Sequence, residues 1–110
     1  MPRLRTDIFV SALLRQVATK GGMGAIVAKG FAEAGAVHVE WRWRGAVGLL
    51  VPAPQTEQDE DGGRLFTPVQ GVTDEAAIGE RIARERRFDA DAWHVEIEGV
   101  DPRTVLAIIE

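Results

Sequence analysis

Cysteine is absent from this 110-residue chain, so a disulfide framework, a thiolate zinc site and a cysteine nucleophile are all excluded, and the redox compartment is left open. Serine occurs once, at Ser11, inside a helical pattern and near no histidine in sequence, which leaves a serine nucleophile with little to stand on. No apolar run approaches the ~20 residues of a membrane span. The opening Met1-Pro2-Arg3-Leu4-Arg5-Thr6-Asp7 has neither a long apolar region nor a small-residue cleavage site, so cytoplasmic residence without membrane association is the expectation. A basic excess is also lacking. The net charge is −4, which argues against a domain devoted to nucleic-acid backbones. Gly21 to Gly24, GGMG, is without the lysine and flanking pattern of a phosphate loop.

What is present centres on Gly35 to Pro54, GAVHVEWRWRGAVGLLVPAP, which reads as two strands joined at a tight turn. Val37, Val39, Trp41 and Trp43 share one parity, and His38, Glu40, Arg42 and Arg44 the other. That alternation predicts a strand with one dry and one wet face, the tryptophans inward. Arg44-Gly45-Ala46 places a glycine where the backbone must reverse. The run from Val47 to Val51 is less strictly alternating, as in a strand between neighbours or under a covering segment. Pro52 and Pro54 end it.

In chain order, Thr6 or Asp7 is placed to cap a first helix over Asp7 to Lys20, with Phe9, Val10, Leu13, Leu14 and Val17 at helical spacing and Gly21-Gly22 to stop it. Ile8 and Ala12 widen its stripe, which suits packing across a sheet or on a second copy of the chain. Met23 to Lys29 suits a short strand, paired through the Gly30 to Gly35 loop with the tryptophan strand as a meander or hairpin. Gln55 to Gly63, QTEQDEDGG, reads as a solvated acidic loop, because its carboxylates lack the ordered spacing of a calcium loop. Arg64 to Val69 resumes as a strand. Thr73 or Asp74 caps a second helix with Ala76 or Ala77, Ile78 and Ile82 inward, and Arg84, Arg86 and Arg87 crowd its last turn, where the macrodipole favours cations. Trp93, Val95 and Ile97 alternate with His94, Glu96 and Glu98 in a further strand. Asp101-Pro102 resembles a helix start, and the apolar tail that follows must dock on the parent core or on a partner.

The opening PRLRTDIFVSALLR, the segment KGFAEAGAVHV, the PAPQ at Pro52 to Gln55, and RFDADAWHVEIE at Arg87 to Glu98 span nearly the whole length. In these pieces the chain resembles a family of uncharacterised bacterial proteins, domain of unknown function 1491. The loop after PAPQ lacks the tyrosine of the family's version, so any role placed on that tyrosine is missing here. The resemblance implies no activity, cofactor or partner.

One internal echo could carry chemistry. His38-Val39-Glu40 and His94-Val95-Glu96 are both HVE, each setting a histidine and a carboxylate about 7 Å apart on one strand face. On neighbouring strands, two imidazoles and two carboxylates could converge on a first-row divalent ion and activate water; the alternative is a solvated or helix-covered face. Arg42 and Arg44 share this face with His38, yet parity sets Trp41 and Trp43 on the other side, so the aromatic and basic surface that single-stranded nucleic acid needs is not formed. The expected fold is one α+β domain, 1–110, with a mostly antiparallel sheet of about five strands and two main helices on one face. The expected function is a non-catalytic protein-binding or self-associating module that acts through Arg42, Arg44, His38 and His94 or through the apolar tail. No catalytic residue, metal or cofactor is assigned, and the alternatives are a metal-dependent enzyme built on the HVE pair and a nucleic-acid-binding module.

Overall fold

In the computed structural model, which describes residues 4–54 and 63–110, the chain opens with helix α1, Thr6–Thr19. Neither expected capping side chain caps it: Arg5 is the N-cap, the Thr6 hydroxyl donates instead to the Gly35 carbonyl at 2.9 Å, and Asp7 accepts from the Ile8 amide at 2.8 Å. The helix stops where Gly21, at φ 86°, takes the left-handed conformation and lets the Gly22 amide reach back to the Val17 carbonyl. Val10, Leu13 and Val17 are buried along it, whereas Ile8 is exposed.

Strands β1 (Met23–Ala28), β2 (Val37–Trp43), β3 (Ala46–Pro52) and β4 (Leu65–Pro68) follow; then come helix α2 (Glu75–Phe88), strand β5 (Trp93–Glu98), a 3-10 turn at Pro102–Thr104 and strand β6 (Ala107–Ile108). They form one six-stranded sheet in the order β1-β5-β2-β3-β4-β6. The β1–β5, β2–β3 and β3–β4 pairs are antiparallel, and β2–β5 and β4–β6 are parallel. The fold is α+β, as expected, with a mixed and mostly antiparallel sheet.

The hairpin joining β2 to β3 turns on two residues with positive φ, Arg44 at 51° and Gly45 at 79°, the backbone hand that matches strand twist. The expected pairing of β1 with β2 does not occur, because β5 lies between them. The connecting loop wraps the start of β5 instead: Trp93 donates from its indole Nε1 to the Phe31 carbonyl at 2.9 Å and from its backbone to Ala36 at 2.7 Å. Gly30 and Gly35 permit this approach, since a Cβ at either would run into the Asp91 carbonyl.

The helices lie on opposite faces, which corrects the expectation of one covered face. Leu49 and Leu50 are adjacent in β3 and so point to opposite sides. Leu50 joins Val10, Leu13, Val17, Val39, Val95 and Ile97 in the core under α1, while Leu49 packs with Ile78 and Ile82 of α2. Two-sided cover is what the unbroken apolar run of β3 requires. Asp74 caps α2, accepting from the Ala77 amide at 2.8 Å.

The apolar tail docks on its own core. Asp101 caps a single 3-10 turn and the chain then extends beside β4, where the Ile109 amide donates to the Phe66 carbonyl at 2.8 Å and Leu106 is buried. The acidic stretch 55–62 lies outside the described residues. Among the described residues no helix is long and apolar enough to cross a membrane.

Candidate functional site

Strands β2 and β5 run parallel and in register, which sets the two HVE triplets side by side: His38 beside His94, Val39 beside Val95 and Glu40 beside Glu96. The valines enter the core under α1, and alternation turns the histidines and glutamates to the α2 side. That face was expected to be wet. Where α2 reaches it the face is dry: His38 is 8% and Glu40 5% exposed. Glu40 stands opposite Leu49 in the sheet register, and Leu49 packs with Ile78 and Ile82 of α2.

A buried carboxylate needs partners, and Arg42 supplies them for the whole group. Its Nη2 donates to Glu96 Oε1 at 2.9 Å, its Nε to Glu98 Oε1 at 3.3 Å, and its Nη1 to Glu40 Oε2 and to Glu75 Oε1, each at 3.3 Å. The other oxygen of Glu40 accepts from His94 Nε2 at 3.0 Å. The guanidinium fork, with donors fixed in one plane, is suited to hold several carboxylates together. Their hydrogen bonds, that of Glu96 foremost, raise the Arg42 pKa above its ordinary value. Four carboxylates share this one guanidinium, so the cluster keeps an excess of negative charge toward the solvent side, where Glu75 and Glu98 are exposed.

His38 behaves differently from its neighbour. Its Nδ1 is buried without a hydrogen-bond partner among the described residues, and burial pushes its pKa below the ordinary 6.5. The strands are therefore adjacent as convergence of four ligands would need, yet the carboxylates are engaged by Arg42 and His94. Among the described residues no group of three or more His, Asp or Glu side chains is arranged to hold a metal ion.

Of the residues expected to form a site, His38, His94 and Arg42 come together on this face. Arg44 stands apart at the hairpin tip, its guanidinium 4.6 Å over the Trp43 ring. The tryptophans are not equivalent either. Trp93 is buried, Trp41 lies against Gly48 so closely that a Cβ there would be 2.6 Å from the indole, and Trp43 is half-exposed.

A second feature was not legible in the sequence. β1 is the outermost strand, and Met23 to Val27 are all exposed, with Met23 at 74%, Ile26 at 44% and Val27 at 49%. It carries no charge and no proline, the usual devices that blunt an edge. A register irregularity between Ile26 and Ala28 limits the regular edge to Met23–Ile26. On the α2 side of the sheet, small Ala25 stands opposite Glu96 and leaves a shallow depression of about 130 Å³ lined by Met23, Ala25, Arg42, Glu96 and Glu98. The signal in the sequence was the uncharged MGAIVA itself, but only the strand order reveals that one side of it has no neighbour among the described residues.

The family model described as protein of unknown function (DUF1491) matches residues 4–107. The chain is similar to a solution structure of a protein from A. tumefaciens, with 39% identity over 98% of this chain and 96% of that one and a TM-score of 0.85. It is likewise similar to the crystal structure of a DUF1491 family protein from Caulobacter crescentus CB15, with 34% identity, 96% and 99% coverage and a TM-score of 0.81. An NMR structure of a DUF1491 family protein from the same organism matches at 34% identity over 97% of both chains, with a TM-score of 0.79. No curated protein matches the chain.

Proposed function

The chain belongs to the DUF1491 family, and from that premise and the geometry of its sheet we propose that it is a non-catalytic protein-binding module that takes an extended segment of a partner along the outer edge of β1. The observation that carries this reading is the exposed, uncharged edge from Met23 to Ile26. An outermost strand offers a row of backbone donors and acceptors on its open side, and an added strand satisfies them while alternate side chains supply selectivity. The opposite edge is less suited to such pairing, since β6 is two residues long. The exposed apolar side chains of Met23, Ile26 and Val27 add surface that a partner would remove from water, at roughly 25 cal/mol per Å².

The polar cluster supports binding over catalysis. Its central carboxylate, Glu40, is nearly out of solvent, and both of its oxygens are held, one by Arg42 and one by His94. The tail and Arg42, two of the other contact surfaces read from the sequence, are taken up internally: the tail by β4, and Arg42 by the four glutamates.

The test is amide chemical-shift mapping while the full chain is titrated with an N-acetylated, C-amidated nonapeptide of alternating Val and Thr. Shifts concentrated at Met23–Ile26, and their loss in Ile26→Lys, support the proposal. Shifts confined to other elements, or none at millimolar peptide, overturn it.

A further inference from the structure

We infer that the partner segment recognised at β1 carries a lysine or arginine opposite Ala25, whose cationic end lies across the alanine toward Glu96 and Glu98; this deepens the edge-pairing reading above and rests on it. The charge balance of the cluster points there. Glu40, Glu75, Glu96 and Glu98 bring four negative charges and Arg42 one positive charge, and the imidazole of His94 meets only the inward oxygen of Glu40. Glu98 remains 58% exposed and Glu96 30%, and both are on β5, the strand paired with β1.

The spacing is also right. Ala25 is paired with Glu96 and Met23 with Glu98, so all four share a face. A strand added outside β1 lies two strand spacings from β5, or about 10 Å. That is too far for a valine and within reach of a long cationic side chain meeting a glutamate. A larger residue at position 25 would block the path. The alanine, and the depression of about 130 Å³ above it, leave the path open, with the Met23 side chain beside it to cover an aliphatic stem.

The composition of β1 also separates a foreign partner from a second copy of the chain. β1 has no lysine or arginine of its own, Met-Gly-Ala-Ile-Val-Ala being entirely uncharged. An antiparallel β1–β1 pair would therefore bring Glu96 and Glu98 no cation from the strand itself beyond the Arg42 they already share.

The experiment uses three versions of the nonapeptide, with lysine, norleucine or glutamate at the centre, titrated into the full chain and followed at the amides of β1 and the side chains of Glu96 and Glu98. The lysine peptide is expected to bind about fivefold more tightly than the norleucine peptide at low salt, and the advantage to shrink as salt is raised. Glu98→Gln, on an exposed side chain, is expected to cut that advantage, read as the ratio of the lysine to the norleucine affinity. Equal binding of the lysine and norleucine peptides at β1 overturns this inference and leaves the edge-pairing proposal standing. Failure of all three to shift β1 overturns both. A dimer seen by light scattering in the absence of peptide, and abolished by Ile26→Lys, would identify the occupant as a second copy and overturn the basic-partner inference alone.

Discussion

His38 and His94 stand side by side at the same level of two parallel strands, yet among the described residues only His94 meets a carboxylate, its Nε2 lying 3.0 Å from Glu40, while His38 keeps a buried ring nitrogen with no partner there. Identical triplets thus have unlike environments. Burial is the main influence on His38 and disfavours its charged form; through space Glu85 of α2 and Asp89 just beyond it favour that form, while His94 and Arg81 oppose it.

The first prediction concerns pH. Burial lowers the pKa of His38 in the folded chain below the ordinary 6.5, so the unfolded chain takes up the proton first as the medium is acidified. The contribution of His38 to stability is complete above about 6.5 and is lost as pH falls from there through the folded value. In His38→Leu the loss of stability below about 6.5 should be shallower than in the parent. Urea unfolding at a series of pH values checks it, and equal slopes would remove His38 as the cause.

Removal of Arg42 should be costly. Arg42→Met leaves Glu40, 5% exposed, and Glu96 without their cation, and the expected loss is about 2–4 kcal/mol. Arg42→Lys should recover only part of it, because an ammonium cannot present the planar fork that spans four carboxylates. Chemical denaturation of the two variants side by side gives the comparison.

Gly48 sits beneath the Trp41 indole, where a Cβ would lie 2.6 Å from the ring. Gly48→Ala should push the indole outward, destabilise the chain by about 1–3 kcal/mol and move tryptophan emission to longer wavelength. An unshifted emission spectrum with unchanged stability would show that the ring has room to yield.

Deleting residues 105–110 should destabilise the chain itself. The truncation removes buried Leu106 and the Ile109 amide that pairs with Phe66, and loss of the leucine alone is expected to cost about 2–5 kcal/mol. Thermal melts measure it. A truncated chain as stable as the parent would mean that the tail is not an integral part of the core.

Much of the fold was legible because local patterns and global contacts agree. The stripe of α1, the Asp74 cap of α2 and the alternation of Trp93, Val95 and Ile97 all report on contacts within a few residues of their own positions. The sidedness of the sheet was not legible. Parity separates His38 and Glu40 from Val37 and Val39, but it cannot say that a helix closes over the polar side as well. The Leu49-Leu50 pair carried that information, since two adjacent buried leucines in one strand need cover above and below. The candidate site was half legible. The HVE repeat marked the face on which the polar cluster lies, but the role of Arg42 as its hub depends on β5 being the neighbour of β2, and the open edge at β1 depends on the same fact. Strand order is set by contacts distant in sequence, and periodicity does not encode it.

The placement of β5 between β1 and β2 has a consequence for the chain as it leaves the ribosome. The first two strands are made early, yet they cannot take their final seats beside one another's vacancy until Trp93–Glu98 has emerged to fill it. Pairings of such wide sequence separation form slowly. The assembly of the sheet is therefore a late event in the life of the nascent chain, and until then β1 exposes two open sides instead of one.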